Sequence, residues 1–360
     1  MKIAVLDFGL SKTHRRFNME YFRALSEFAE LYIINSGSYY NELEEVDNIH
    51  IVEAGIDVNA QYNLPRNPVI RAVAARKLAL SNMKKNRVIF EREKNFDYVL
   101  IMGYEVITFS LFKLYIPRGI PIVLFEHQQI DEISNLVKNL FFSLYKNKVN
   151  HIVMEETFKD FLINKKKVKR ENVFVVHYLI RTMKVFDKKQ KGERYSIIGI
   201  SSNNDEKIIS ELVEEERRTQ FLKDTNCNIV LRSKCTQYSD QYLKVENKFY
   251  SDAEYDSLFG KADAVLAASP KDFVHRMSGP VVNAIEAGKI VIGTESPQVV
   301  NFQRLSPNNF RIYKNFEELK NIILNGRFDI DVEELQFLQK RHSRENITKE
   351  LKKCFQIGVD

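Results

Sequence analysis

Cysteine is scarce in this chain. Cys227, Cys235 and Cys354 are the only three in 360 residues, an odd number without metal-ligand spacing, which argues against a disulfide framework and against a zinc site. That usage fits a reducing, cytosolic compartment. Long apolar runs are missing too: the longest, Ile116–Phe125 and Ile290–Gly293, are broken by Arg118, Pro121 or turn residues and fall short of the roughly 20 residues that span a bilayer. The opening MKIAVLDFG has one Lys and an apolar run ending at Asp7, too short for a signal-peptide core, and reads as a buried first strand. There is no short repeat and no low-complexity segment. Nor does one sign of charge dominate. A formal net charge of +6 is compatible with anionic ligands or an anionic membrane surface, and the dispersal of the basic residues argues against a nucleic-acid partner.

What is present is globular: 44% hydrophobic and 28% charged residues over 360 positions, enough for two cores of roughly 100–200 residues each. Short β-branched or aromatic runs alternate with longer amphipathic stretches. Lys2–Leu6, Leu31–Ile34, Ile49–Glu53, Tyr98–Met102, Ile122–Phe125, His151–Met154 and Val173–His177 read as strands, with helical periodicity near Asn18–Ala29, Pro68–Arg92 and Asp131–Lys146. The pattern then lapses into the lysine-rich Met183–Arg194, a linker by composition. It restarts with strands at Ser196–Ile200, Asn228–Arg232, Ala264–Ala267 and Ile290–Gly293 and helices at Asp205–Glu216, Tyr255–Gly260 and Pro280–Ala287. This predicts an α/β protein of two mostly parallel sheets: domain 1–182, linker 183–194, domain 195–345, and a last helix, 346–360, crossing back to the first domain.

The densest window is Ala262–Pro297. A buried strand runs into a loop holding Ser269, His275, Arg276, Ser278 and Gly279, and Pro280 then suits a helix's first turn. Free N–H groups at that helix start favour an anion, Gly279 lets a ligand approach the backbone, and Arg276 adds a bidentate phosphate clamp. The expectation is a phosphate-binding loop.

The same window resembles the nucleotide-diphosphate segment of bacterial GT-B glycosyltransferases of the family-4-like kind. Lys261-Ala262-Asp263-Ala264, Ser269, Ser278-Gly279, Ala284, Ala287-Gly288 and Val291-Ile292-Gly293-Thr294 follow its order and spacing. The departures are specific: of the two glutamates such enzymes often carry eight positions apart, the second falls on Asn283 and the first on His275. Where they open the second domain with Gly-Arg and a following Lys, this chain has Gly199 and Lys207 without the Arg. Arg232 and Lys234, at the next strand end, are candidates to replace it, and Phe249 or Tyr250 to stack on a base. In the first domain the resemblance implies a glycine loop at Gly9-Leu10-Ser11 and a histidine ending a buried strand, His127 after Ile122–Phe125.

The resemblance implies two Rossmann-like domains facing a central cleft. It implies transfer of a sugar from a nucleotide donor, UDP-sugar being favoured, to a glycan, lipid-linked or protein acceptor, with retention. His127 is expected to contact donor sugar or acceptor and Glu126 to act as general base, with His14 a further candidate at the same edge. Gly9, Lys207, Arg232, Lys234, Tyr250, Arg276, Ser278, Gly279 and Asn283 are expected to hold the donor. No metal or cofactor is expected. Asp329-Ile330-Asp331 has the spacing of a metal-binding Asp-x-Asp but lies in a Glu-rich stretch that reads as a helix start. Asn135–Lys148 is basic and amphipathic, able either to lie on the cytoplasmic membrane face or to bury its aromatics in the core. Two other readings compete: an epimerase of the same architecture, and a non-catalytic nucleotide-sugar-binding subunit.

Overall fold

The computed structural model describes residues 1–8, 14–65, 67–112, 116–127, 129–180 and 194–356. The chain forms two compact units, Met1–Leu179 with Arg344–Asp360, and Ile180–Ser343. The linker expected at 183–194 lies outside the described residues except for Arg194.

The first unit is built on seven strands: β1 (Lys2–Asp7), β2 (Glu30–Asn35), β3 (Ile49–Glu53), β4 (Tyr98–Gly103), β5 (Ile122–Phe125), β6 (Asn150–Val153) and β7 (Val173–Val175). Their order is β3-β2-β1-β4-β5-β6-β7, and every pairing is parallel. The central strands are covered on both faces and are near-continuous apolar runs: β1 buries five of its six residues, whereas the edge strand β3 alternates, with His50 and Glu53 exposed. The last helix, Arg344–Cys354, belongs to this unit. It packs on the helix Arg15–Leu25 and buries Ile347, Leu351 and Cys354. His177 fixes it by donating its backbone N–H and setting its ring nitrogen against the Glu350 carboxylate, at 2.8 and 2.7 Å.

The second unit repeats the plan with β8 (Tyr195–Gly199), β9 (Cys227–Arg232), β10 (Tyr238–Ser239), β11 (Leu243–Glu246), β12 (Ala264–Ala267), β13 (Ile290–Thr294) and β14 (Phe310–Tyr313). The order is β10-β11-β9-β8-β12-β13-β14, parallel apart from the β10–β11 hairpin. The hairpin and β14 do not figure among the strands read from the sequence. Their residues alternate with polar ones over two to four positions, and the hairpin turn is set by Asp240, whose carboxylate accepts from the Tyr242 and Leu243 N–H groups at 2.7 Å.

Caps divide what periodicity reads as continuous helix. Pro68–Arg92 is two helices, Pro68–Asn86 and Val88–Arg92, meeting at Arg87. Asp131–Lys146 likewise gives Gln129–Glu132 and Leu136–Ser143, because the Asn135 side chain accepts from the Val137 and Lys138 N–H groups and starts a new helix there. The helix read from Tyr255 begins at Asp252, where Ser251 and Glu254 form a capping box.

Candidate functional site

In an open parallel sheet, ligands bind where the strand order reverses, at the carboxyl ends of the strands. In the second unit that point lies between β8 and β12. Gly199 ends β8 under close constraint: a Cβ there would sit 2.7 Å from Leu231 Cδ2 and 3.2 Å from the Leu266 carbonyl. The loop that follows is tied to both neighbours. The buried Asn204 amide donates to the Gly199 and Arg232 carbonyls at 2.7 and 2.8 Å, and the Asp205 N–H donates to the Ala268 carbonyl at 2.7 Å.

Arg232, the last residue of β9, is buried, and its Nε has no hydrogen-bond partner among the described residues. Its guanidinium lies 3.8 Å from the centroid of Phe249, a ring 80% exposed in the loop after β11. Burial lowers the Arg232 pKa, though a guanidinium stays charged. Tyr250, beside it, is engaged otherwise: its hydroxyl donates to Glu246 at 3.1 Å, and burial with that carboxylate pushes the phenol up to about 12. Phe249 is therefore the aromatic this edge exposes. Lys234 reaches the loop after β8, with Nζ 3.4 Å from Asn203 Oδ1, and Glu206 holds its backbone N–H at 2.8 Å together with the Ser233 hydroxyl.

The loop after β12 carries the rest of the expected set. Arg276 lies over Phe273 at 3.9 Å. Ser278 gives its N–H to Gln298 Oε1 at 2.8 Å and precedes the helix Gly279–Glu286, in which Pro280 occupies the first turn and no side chain caps the start. Gly279 is exposed, and a Cβ on it would meet nothing within 4 Å. Asn283 uses its amide on the Tyr255 hydroxyl at 2.8 Å. A cavity of about 40 Å³ separates Ser269–Val274 from Thr294–Pro297. Lys207 stands apart, highly exposed and 3.7 Å from Glu211. It borders a larger recess of about 530 Å³ between the helices Glu206–Thr219 and Phe316–Asn325, whose mixed lining of lysines and glutamates differs from the cationic edge at Arg232.

In the first unit the order reverses between β1 and β4. Gly9, with the rest of 9–13, lies outside the described residues. His127 follows β5 in a nest of rings: Phe125 stacks on it at 5.0 Å, Phe17 meets it edge-on at 4.6 Å, and His14 lies 4.6 Å away. Its backbone N–H donates to Gln129 Oε1 at 2.9 Å, while Nε2 is buried with no hydrogen-bond partner among the described residues. Burial, and the neighbouring His14 after it, hold the His127 imidazole well below its ordinary pKa; burial lowers His14 also. Both rings are neutral at pH 7.

Glu126 points the other way, as successive residues at a strand end do. Its carboxylate is buried and accepts from the Tyr104 hydroxyl at 2.9 and 2.8 Å, with His151 Nδ1 at 2.7 Å. His151 Nε2 faces the Lys146 carbonyl at 2.9 Å. The carboxylate expected to act as general base thus has both oxygens engaged within the first unit. Tyr104, His151 and Asn204 are site-supporting residues that motif reading missed. For Asn204 the available signal was the polar run after Gly199.

No protein-family model matches the sequence, and no curated protein matches it in sequence. Solved structures do match, over nearly the whole chain. Sucrose-phosphate synthase from Thermosynechococcus elongatus aligns with a TM-score of 0.69 at 9% identity, covering 99% of this chain and 98% of that one. HepE from Anabaena in complex with UDP and glucose gives 0.63 at 11% identity and 99% of both chains. A glycosyltransferase from Rickettsia africae gives 0.64 at 13% identity, with 99% and 97% covered. The fold is GT-B. Two Rossmann-like domains account for both seven-stranded sheets and for the strand order in each.

Within this GT-B chain the late Asp-x-Asp pair has local duties. Asp331 caps the helix Val332–Arg341, accepting from the Glu334 N–H at 3.1 Å, and Asp329 lies 3.5 Å from the Tyr195 hydroxyl.

Proposed function

We propose that the protein is a glycosyltransferase that moves a sugar from a nucleotide-sugar donor, UDP-sugar in the first instance, to a hydroxyl of a glycan, lipid-linked or protein acceptor. One observation carries the reading: Arg232, Lys234, Arg276 and the uncapped start of Gly279–Glu286 all stand at the carboxyl edge of one parallel sheet, around its switch point. That edge suits a diphosphate. The guanidinium groups and helix N–H groups would offset charge as the bond from the anomeric carbon to the phosphate oxygen breaks and the nucleoside diphosphate leaves. The acceptor oxygen bonds to that carbon as the phosphate oxygen departs with the bonding pair, and the acceptor's proton passes to that departing phosphate oxygen.

Phe249 offers a face for the base and Asn283 Oδ1 an acceptor for a ribose hydroxyl. His127, whose Nε2 has no partner among the described residues, is suited to hydrogen-bond a sugar hydroxyl. Glu126 acts here as a positioning residue for the strand end that carries His127. The HepE structure in complex with UDP and glucose supports the donor class by likeness of fold. Retention of anomeric configuration, and turnover without a metal, belong to the proposal as well.

The test is a thermal-shift panel of UDP-, GDP-, dTDP- and CMP-sugars followed by transfer assays with and without chelator. A ligand that binds only the native state raises the melting temperature. The expected result is a rise with one nucleotide class, product formed in chelator, and an unchanged anomer by NMR. No stabilisation by any nucleotide would overturn the donor reading.

A further inference from the structure

Three helices of the first unit leave aliphatic side chains in water. Pro68–Asn86 exposes Val69 (72%), Ile70 and Val73, Val106–Phe112 exposes Leu111, and Leu136–Ser143 exposes Leu136 (85%), Val137 and Leu140 (65%). The helices are neighbours, since Val106–Phe112 packs against each of the other two. Single exposed aliphatic residues need no explanation, but seven on three adjoining helices form a patch that a monomer in water does not favour.

Charge on these helices is one-sided. None of the chain's 48 Asp and Glu lies on any of the three, whereas Pro68–Asn86 carries Arg71, Arg76, Lys77, Lys84 and Lys85. Leu136–Ser143 carries Lys138, paired at 2.7 Å with Glu132 from the preceding turn. A second basic group adjoins its end. Lys146 Nζ donates to the Lys166 carbonyl at 2.5 Å and Lys166 Nζ to the Ile133 carbonyl at 2.7 Å, which places Lys165, Lys167, Lys169 and Arg170, all exposed, beside the same helix.

We infer that this face docks on the surface of a bilayer containing anionic phospholipid, with the aliphatic side chains entering the acyl boundary and the basic ones at the headgroups. Exposed aliphatics combined with flanking cations are what interfacial binding requires. Among the described residues no helix is long and apolar enough to cross a membrane, so the protein lies on the bilayer. A second copy of the chain is a poorer occupant, because a twofold contact would set one predominantly basic face against another. A protein groove is poorer too: the side chains stand out as a ridge of Val, Ile and Leu with no aromatic anchor among the exposed ones. The inference is independent of the donor reading.

Flotation of the full chain with phosphatidylcholine vesicles, alone or with about one-third phosphatidylglycerol, tests it. Binding is expected only with the anionic lipid and should weaken between about 0.05 and about 0.5 M salt. Leu136→Glu with Leu140→Glu, and separately Val69→Glu with Ile70→Glu, should each lower partitioning roughly tenfold or more, with melting temperature unchanged because these side chains are exposed. Val332→Glu, at an exposed apolar position of the second unit, is the control and should bind like the parent. Equal binding to neutral vesicles, no binding at all, or full binding by both double variants would overturn the inference. So would self-association in light scattering that the same variants abolish, which would make the face a contact between copies.

Discussion

The Arg232 guanidinium rests on the Phe249 ring, 3.8 Å from its centroid, with the arginine buried and the phenylalanine exposed. A cation held so, with no hydrogen-bond partner for Nε among the described residues, is pre-organised, since little side-chain freedom remains to be lost when an anion arrives. Arg232→Lys is therefore not a conservative change: a lysine keeps the charge and loses the fork and the stack. The expected outcome is UDP affinity lowered about tenfold or more in calorimetric titration. Phe249→Ala should weaken UDP by a smaller factor and leave the melting temperature within a degree or two, because an exposed ring contributes little to folding. Unchanged affinity in both variants would remove this edge from the donor site.

Gly279→Ala separates ligand approach from folding. A methyl there meets no atom within 4 Å, and alanine suits a helix start at least as well as glycine does. Unfolding free energy should change by no more than about 0.5 kcal/mol. If a diphosphate lies against the backbone at that turn, donor affinity falls severalfold with it. Arg276→Ala should cut donor affinity strongly, also with the fold intact. Titration of each variant with UDP-sugar, beside a urea melt, gives both quantities.

His127→Asn should lower turnover more than donor affinity, because the ring belongs to the first unit while the proposed phosphate site belongs to the second, and in the proposal it serves the sugar or acceptor. A normal turnover number at saturating donor, with only a raised KM, would assign His127 to ground-state binding.

The same variant has a signature in stability. Burial first, and His14 second, lower the His127 pKa from the ordinary 6.5, so below that pH the unfolded chain binds more protons than the native one. The stabilisation is complete at neutral pH and is lost as acid is added, at up to about 1.4 kcal/mol per pH unit until the native pKa is reached. His127→Asn should flatten the slope of unfolding free energy between about pH 7.5 and about pH 5.5 relative to the parent protein. Urea melts across that range measure it. Identical slopes would mean that the imidazole is not desolvated.

Glu126→Ala should cost about 3 kcal/mol, since it strands the Tyr104 hydroxyl and His151 Nδ1 in a site closed to water. At a temperature where the variant is folded, transfer should persist at a reduced rate, and Glu126→Gln should recover part of it. Complete loss of turnover by a folded Glu126→Gln would return Glu126 to the chemistry.

The alternation of apolar strands with amphipathic helices was legible because it is a periodic property: β1 through β9, β12 and β13 all fall where runs such as Ile122–Phe125 and Ala264–Ala267 place them. Breaks made by one side chain were harder to see. Asn135 and the Ser251–Glu254 box each divide or extend a helix by a cap that periodicity averages away. At the site, motif spacing located the Gly279 turn but could not say which of Phe249 and Tyr250 stands exposed, since that depends on Glu246 capturing one hydroxyl. Nor does adjacency in sequence reveal that Glu126 and His127 face opposite sides of the strand end.

The first unit is discontinuous in the chain, closed by Arg344–Cys354 after the whole of Ile180–Ser343 has intervened. On a ribosome this helix is made only after the second unit. Until it emerges, the surface that receives Ile347, Leu351 and Cys354 is uncovered and Glu350 is not there to meet His177. The second unit has all its strands by then and is free to fold first, so the order of completion is the reverse of the order of synthesis.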